Sequence, residues 1–168
     1  SAQEPFRRQA AEAFRRQGFR VHESPVCCVE SEFEAALREI EASGADLIVT
    51  LHLAYSPSLE SAGLLARSPL PILMLDATPY ADFGPDVDPE HILYNHGIHG
   101  VQDLSSMLRR FGKPCHIVAG HLSDPTVIES ASQIVRAAHT ASCLKDQRAL
   151  RIGPVFAGMG DFQVGNDL

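Results

Sequence analysis

The sequence predicts an α/β domain of the doubly wound, mostly parallel, Rossmann-like (flavodoxin-like) class. Apolar runs such as ADLIVTLHL (45–53) and LPILMLDA (70–77) have the Leu, Ile and Val content of strands buried on both faces. Between them lie segments whose apolar residues recur at helical spacing. The two kinds alternate along the chain, which is the signature of a parallel sheet covered by helices.

Phe6, Ala10, Ala13 and Phe14 mark one face of a first helix that ends near Gly18. FRVHE (19–23) reads as a short strand. Ser31 reads as the N-cap of SEFEAALREIEASG, with Glu34 at the third position and Gly44 closing it. Strand 45–53 follows, then a helix from Ser58 to Arg67, then strand 70–77. TPYADFGPDVDPEH (78–91) is too rich in proline for a helix and reads as a long loop, a frequent place for function. NHGIHG (95–100) extends that loop, and Val101 to Arg110 is a helix stopped by Gly112 and Pro114. CHIVAG (115–120) is a strand. Asp124 caps a helix with Pro125 at its first position, running to about Lys145. ALRIGPVF (149–156) reads as a last strand.

This order opens on a helix, whereas a doubly wound domain opens on a strand. The sheet is therefore expected to lack its first, central strand. Such a sheet exposes edges, which predicts self-association through exchanged or added strands. The division expected is an α/β domain over residues 1–148, with 149–168 as the opening strand and loop of a truncated second domain.

At 168 residues, 45% hydrophobic and 21% charged, the chain is long enough to bury a core. A net charge of -7 disfavours nucleic acid and anionic membranes as partners. Nothing reads as a transmembrane span or a secretory signal, and a cytoplasmic protein is expected. Cys27, Cys28, Cys115 and Cys143 form no CxxC pair, so a structural zinc site is not expected. Adjacent cysteines are poor disulfide partners, and buried thiols are expected instead.

No G-x-G-x-x-G or G-x-x-x-x-G-K-[ST] is present, which leaves nucleotide phosphates without support. GMGD (158–161) has close glycines but no helix clearly follows it. There is no G-x-S-x-G, and Cys28 near His22 is only a weak thiol-nucleophile signal. Histidine is more informative. Of eight, His52 ends a strand, His91, His96 and His99 follow the next, and His121 follows the one after. In an open parallel sheet these carboxyl ends line the binding crevice. Each histidine could merely satisfy backbone groups. As a set they favour a sugar-like or anionic ligand, or a metal. His96 and His99 lack a carboxylate partner in any recognised metal pattern, so no metal ligand is assigned. Tyr55, Tyr80, Phe83 and Tyr94 also follow strands, where aromatic faces suit a sugar or simply cover core.

LHLAYSP (51–57), LYNHGIHGVQDL (93–104), IVAGHLSDP (117–125) and RIGPVFAGMGDF (151–162) together resemble the N-terminal part of the L-arabinose isomerase and L-fucose isomerase-like sugar isomerases. The first is similar to the family's Leu-His segment before an aromatic-Ser-Pro turn. The second resembles its Asn-Gln-x-x-His-Gly loop, the third its Val-x-Gly-His strand end, and the fourth the strand opening its second domain. The likeness spans nearly the whole chain.

The resemblance implies aldose–ketose isomerisation assisted by Mn²⁺ or another divalent cation. A Lewis acid stabilises the enediolate while a carboxylate moves the proton. In the family the ion is held by two carboxylates and two histidines of later domains, so this chain has no catalytic residue, metal ligand or cofactor of its own. It would supply substrate contacts and a subunit interface, completing a neighbour's active site in a homo-oligomer, a trimer or hexamer. His99, Tyr55 and Met159 would face the sugar. His96, also a substrate-binding candidate, stands where arabinose isomerases carry glutamine. The chain is thus expected to be an N-terminal fragment of a sugar ketol-isomerase, inactive alone. A stand-alone sugar-binding or sensing module, and a scaffold that only builds an oligomer, are the alternatives.

Overall fold

The structure, a computed structural model, describes residues 3–81, 84–150, 152, 153 and 158. Three strands, β1 (Ile48–Leu51), β2 (Ile72–Thr78) and β3 (Cys115–His121), form a parallel sheet in the order β1-β2-β3. Six helices surround it: α1 (Glu4–Arg16), α2 (Glu30–Ala42), α3 (Ala62–Arg67), α4 (Glu90–Tyr94), α5 (Gly97–Arg110) and α6 (Pro125–Lys145). A single 3-10 turn, Ser58–Glu60, precedes α3.

Strand periodicity divides β2 between two cores. Leu73, Leu75 and Ala77 pack with Phe6, Ala10 and Phe14 of α1 and with Val127, Ile128 and Ala131 of α6. Ile72 and Met74 pack on the other face with Ile48, Leu37 of α2, Leu65 of α3 and Val101, Leu104 and Leu108 of α5. Helices therefore cover both faces, as the doubly wound, Rossmann-like class requires, and among the described residues no strand precedes β1. β2 has neighbours on both sides, and Ile72 to Ala77 are buried throughout. β1 and β3 are edges, where Val49 is 38% and Ile117 48% exposed.

Segment 19–23 is a correction: it is not a strand. Phe19 and Val21 still lean on the first core, as alternate residues of an extended chain do. In the 2-1-3-4-5 strand order of flavodoxin-like sheets, the second strand touches only the first. Among the described residues no such neighbour stands beside this segment. Ala149, Leu150, Ile152 and Gly153 are likewise not in a strand, and Leu150 and Ile152 are 86% and 89% exposed. The rest of the expected last strand lies outside the described residues, as does GMGD apart from Gly158.

The helix ends follow local chemistry. Asp124 caps α6 by accepting from the Thr126 amide at 2.9 Å, with Pro125 in the first turn. α2 departs from expectation, because its N-cap is Val29 rather than Ser31. Glu32, at the third helical position, accepts from the Cys28 and Val29 amides at 2.7 and 3.3 Å, the reach-back half of a capping box. All four cysteines are free, but none is fully buried. Cys27 and Cys28 lie on the unpaired stretch before α2, which explains their access to solvent.

Candidate functional site

The carboxyl ends of the three strands meet the amino end of α5. NHGIHG is helical here rather than a loop: His96 is the N-cap of α5, and His99 stands in its first turn. Glycine is a poor helix former, so Gly97 and Gly100 obscure this turn in the sequence. Tertiary packing explains them. A Cβ at Gly97 would stand 2.5 Å from the His52 carbonyl oxygen, and one at Gly100 2.5 Å from His52 Cδ2. The two glycines let the first turn of α5 lie directly on His52. That contact sets where His96 and His99 emerge, with their rings 4.9 Å apart. His96 is partly buried and His99 exposed.

The turn after β2 is pinned to the same place. Asn95, buried, donates to the Tyr80 carbonyl at 3.0 Å and accepts from the Tyr80 amide at 3.4 Å. The Tyr80 ring stacks on His91 at 3.7 Å, with Tyr94 tilted 6.2 Å away. His121 reaches the Pro79 carbonyl through Nε2 at 3.3 Å, while its Nδ1 accepts from the Ser123 amide at 3.2 Å. These bonds fit one tautomer, with the proton on Nε2. His91 and His121 thus hold the loops in place.

Beneath α5 the α5-facing side of the sheet turns polar. Ile48 and Ile72 are paired in register, as are Thr50 and Met74. One step beyond Leu51 and Leu75, the same register places His52 beside Asp76. Thr50 Oγ1 and His52 Nδ1 are buried with no hydrogen-bond partner. Asp76 is 9% exposed, and among the described residues its side chain has no hydrogen bond or ion pair. Burial pushes the Asp76 carboxyl above its ordinary range and the His52 imidazole below its own. Both shifts oppose charge in a site where nothing compensates it.

Asp76 was missed in the sequence. Its signal is one acid inside the apolar run LPILMLDA, where a charge is costly without a purpose. Among the other candidates, Tyr55 follows β1 as expected but is 57% exposed and makes no ring contact among the described residues. Met159 and Phe83 lie outside the described residues. Of the remaining histidines, His139 pairs with Asp46 at 2.9 Å, a structural contact away from this edge.

Among the described residues, no group of three or more His, Cys, Asp or Glu side chains could hold a metal ion. His52 and Asp76 give two donors, fewer than a divalent ion takes from a protein. The site suits neutral, hydroxyl-bearing groups better, because an acceptor carboxylate, an imidazole and a hydroxyl share one face of adjacent strands. An open groove of about 630 Å³ at the opposite end of the sheet, near Lys113 and Cys115, has no such cluster. No helix among the described residues is long and apolar enough to cross a membrane. Comparison with known proteins finds no family model and no curated protein that matches this chain.

Proposed function

We propose that this chain is the N-terminal α/β part of a metal-dependent sugar ketol-isomerase acting on an L-arabinose- or L-fucose-like sugar. In that protein it supplies substrate contacts and a subunit interface. One observation carries the reading: the first turn of α5, bearing His96 and His99, is seated by Gly97 and Gly100 on His52 at the carboxyl edge of a parallel sheet. Open α/β sheets bind their ligands at that edge. The four sequence motifs of the resemblance supply the chemical class.

His99 and His96 would hydrogen-bond sugar hydroxyls, Tyr55 would lie along an apolar face of the ring, and Met159 would complete the contact. The Mn²⁺ or related cation, with its carboxylates, would belong to the later domains of the parent. The outer sides of β1 and β3, unpaired among the described residues, support a homo-oligomer, a trimer or hexamer in the parent, in a cytoplasmic setting.

Two experiments test the reading. The pure, metal-loaded 168-residue chain should not isomerise L-arabinose or L-fucose, and turnover at enzyme-like rates would refute the assignment of chemistry to later domains. The polypeptide made from the native gene should have a mass far above 18.2 kDa. A mass near that value would favour a stand-alone sugar-binding module.

A further inference from the structure

We propose that Thr50, His52 and Asp76 form a polyol subsite beneath α5, in which the Asp76 carboxylate accepts hydrogen bonds from two neighbouring hydroxyls of a sugar. This rests on the sugar reading above and adds three residues that the sequence motifs do not assign to the ligand.

Three independent facts converge on the place. Thr50, His52 and Asp76 share one face of two adjacent strands, by register. Thr50 Oγ1 and His52 Nδ1 are buried without a partner, and the side chain of Asp76, a residue 9% exposed, makes no hydrogen bond or ion pair among the described residues. The glycines of α5 seat its first turn directly on His52.

Buried polar groups in folded proteins are nearly always paired, so two unpaired on one patch, beside a carboxyl with no partner among the described residues, mark a place suited to a ligand. The chemistry selects the ligand. A carboxylate accepts and never donates, so it asks for donors. A cation would need more donors than are present. An anion would be repelled by Asp76. A vicinal diol offers two donors at the spacing of one carboxylate and leaves its oxygens to accept from Thr50 and from imidazole N–H. Strands lie about 4.8 Å apart, so one diol can span His52 and Asp76.

The test is calorimetric titration of this chain with L-arabinose, with a thermal melt of each variant to establish folding. Wild type should bind, Asp76→Asn should bind about tenfold more weakly or worse, and Thr50→Val, which keeps the β-branched shape, should weaken binding several-fold. Equal affinity for wild type and both folded variants would overturn the subsite. If His99→Ala weakened binding in that same case, the sugar reading would survive without it. Loss at Asp76 with no effect of His99→Ala would keep the subsite and remove the α5 contacts from the reading. No binding by wild type at millimolar sugar would overturn the subsite and deny this chain a sugar site of its own. Should Asp76→Asn fail to fold, Thr50→Val alone decides.

Discussion

The α5-facing side of the sheet is two regions in one. Toward the amino ends of the strands, Ile48, Ile72 and Met74 meet Val101, Leu104 and Leu108, an apolar surface with little or no solvent exposure. Toward the carboxyl ends, a few ångströms along the same strands, Thr50, His52 and Asp76 meet the glycine-rich first turn of α5. The first region supplies folding energy. The second consumes some of it, because burying Thr50 Oγ1 and His52 Nδ1 without partners, and desolvating the Asp76 carboxyl, is unfavourable. A protein that keeps such a region does so for a purpose other than stability.

Substitutions should separate the two. Leu104→Ala, at the centre of the apolar half, should cost about 2–5 kcal/mol in denaturant unfolding. A loss near zero would mean that this half is not the core.

Crowding α5 against His52 should have the next largest effect. Gly97→Ala and Gly100→Ala should each cost about 1–3 kcal/mol through overpacking. The two differ in remedy. Gly100→Ala meets the His52 side chain, so His52→Ala should restore part of its loss, whereas Gly97→Ala meets a backbone carbonyl and should not be rescued. Equal rescue of both would show that the helix is not seated as described.

In the polar half, removal should help. The folded-state pKa of Asp76 is raised, so the folded protein loses stability as pH rises through that value and carries the full penalty above it. Asp76→Asn should therefore stabilise the protein at pH 7 by about 1 kcal/mol. Below the ordinary aspartate value of 3.8 the wild-type carboxyl is protonated whether folded or not, and that gain should vanish. A destabilised Asp76→Asn at pH 7 would show a hidden favourable partner.

His52 runs the other way. Its folded pKa is lowered, so wild type should lose stability as pH falls below the ordinary histidine value of 6.5. His52→Gln should flatten that part of the stability curve. This is the smallest of the four effects, and an unchanged slope in thermal melts from pH 7 to 5 would contradict it.

Much of the first region was legible in the sequence. Length, apolar content and flanking helical periods give β2 and β3 within a residue or two, and Asp124 with Pro125 marks the start of α6. What was not legible depends on neighbours in space. FRVHE has the composition of a strand but no strand beside it among the described residues. Gly97 and Gly100 look like loop residues until His52 is placed beneath them. The position of His96 and His99 just past β2 was legible from the strand pattern, whereas Asp76 needed the register that, continued one step, puts it beside His52. Cys28 and Cys143 are exposed because the unpaired stretch and the end of α6 extend past the packed layers, which composition does not encode.

The most direct measurement is an NMR titration of the ¹⁵N-labelled chain with L-arabinose. The account predicts amide shifts confined to the carboxyl ends of β1 and β2 and the first turn of α5, centred on His52, Asp76, Gly97 and His99. Shifts centred instead on the groove near Lys113 and Cys115, or no shifts at millimolar sugar, would contradict it.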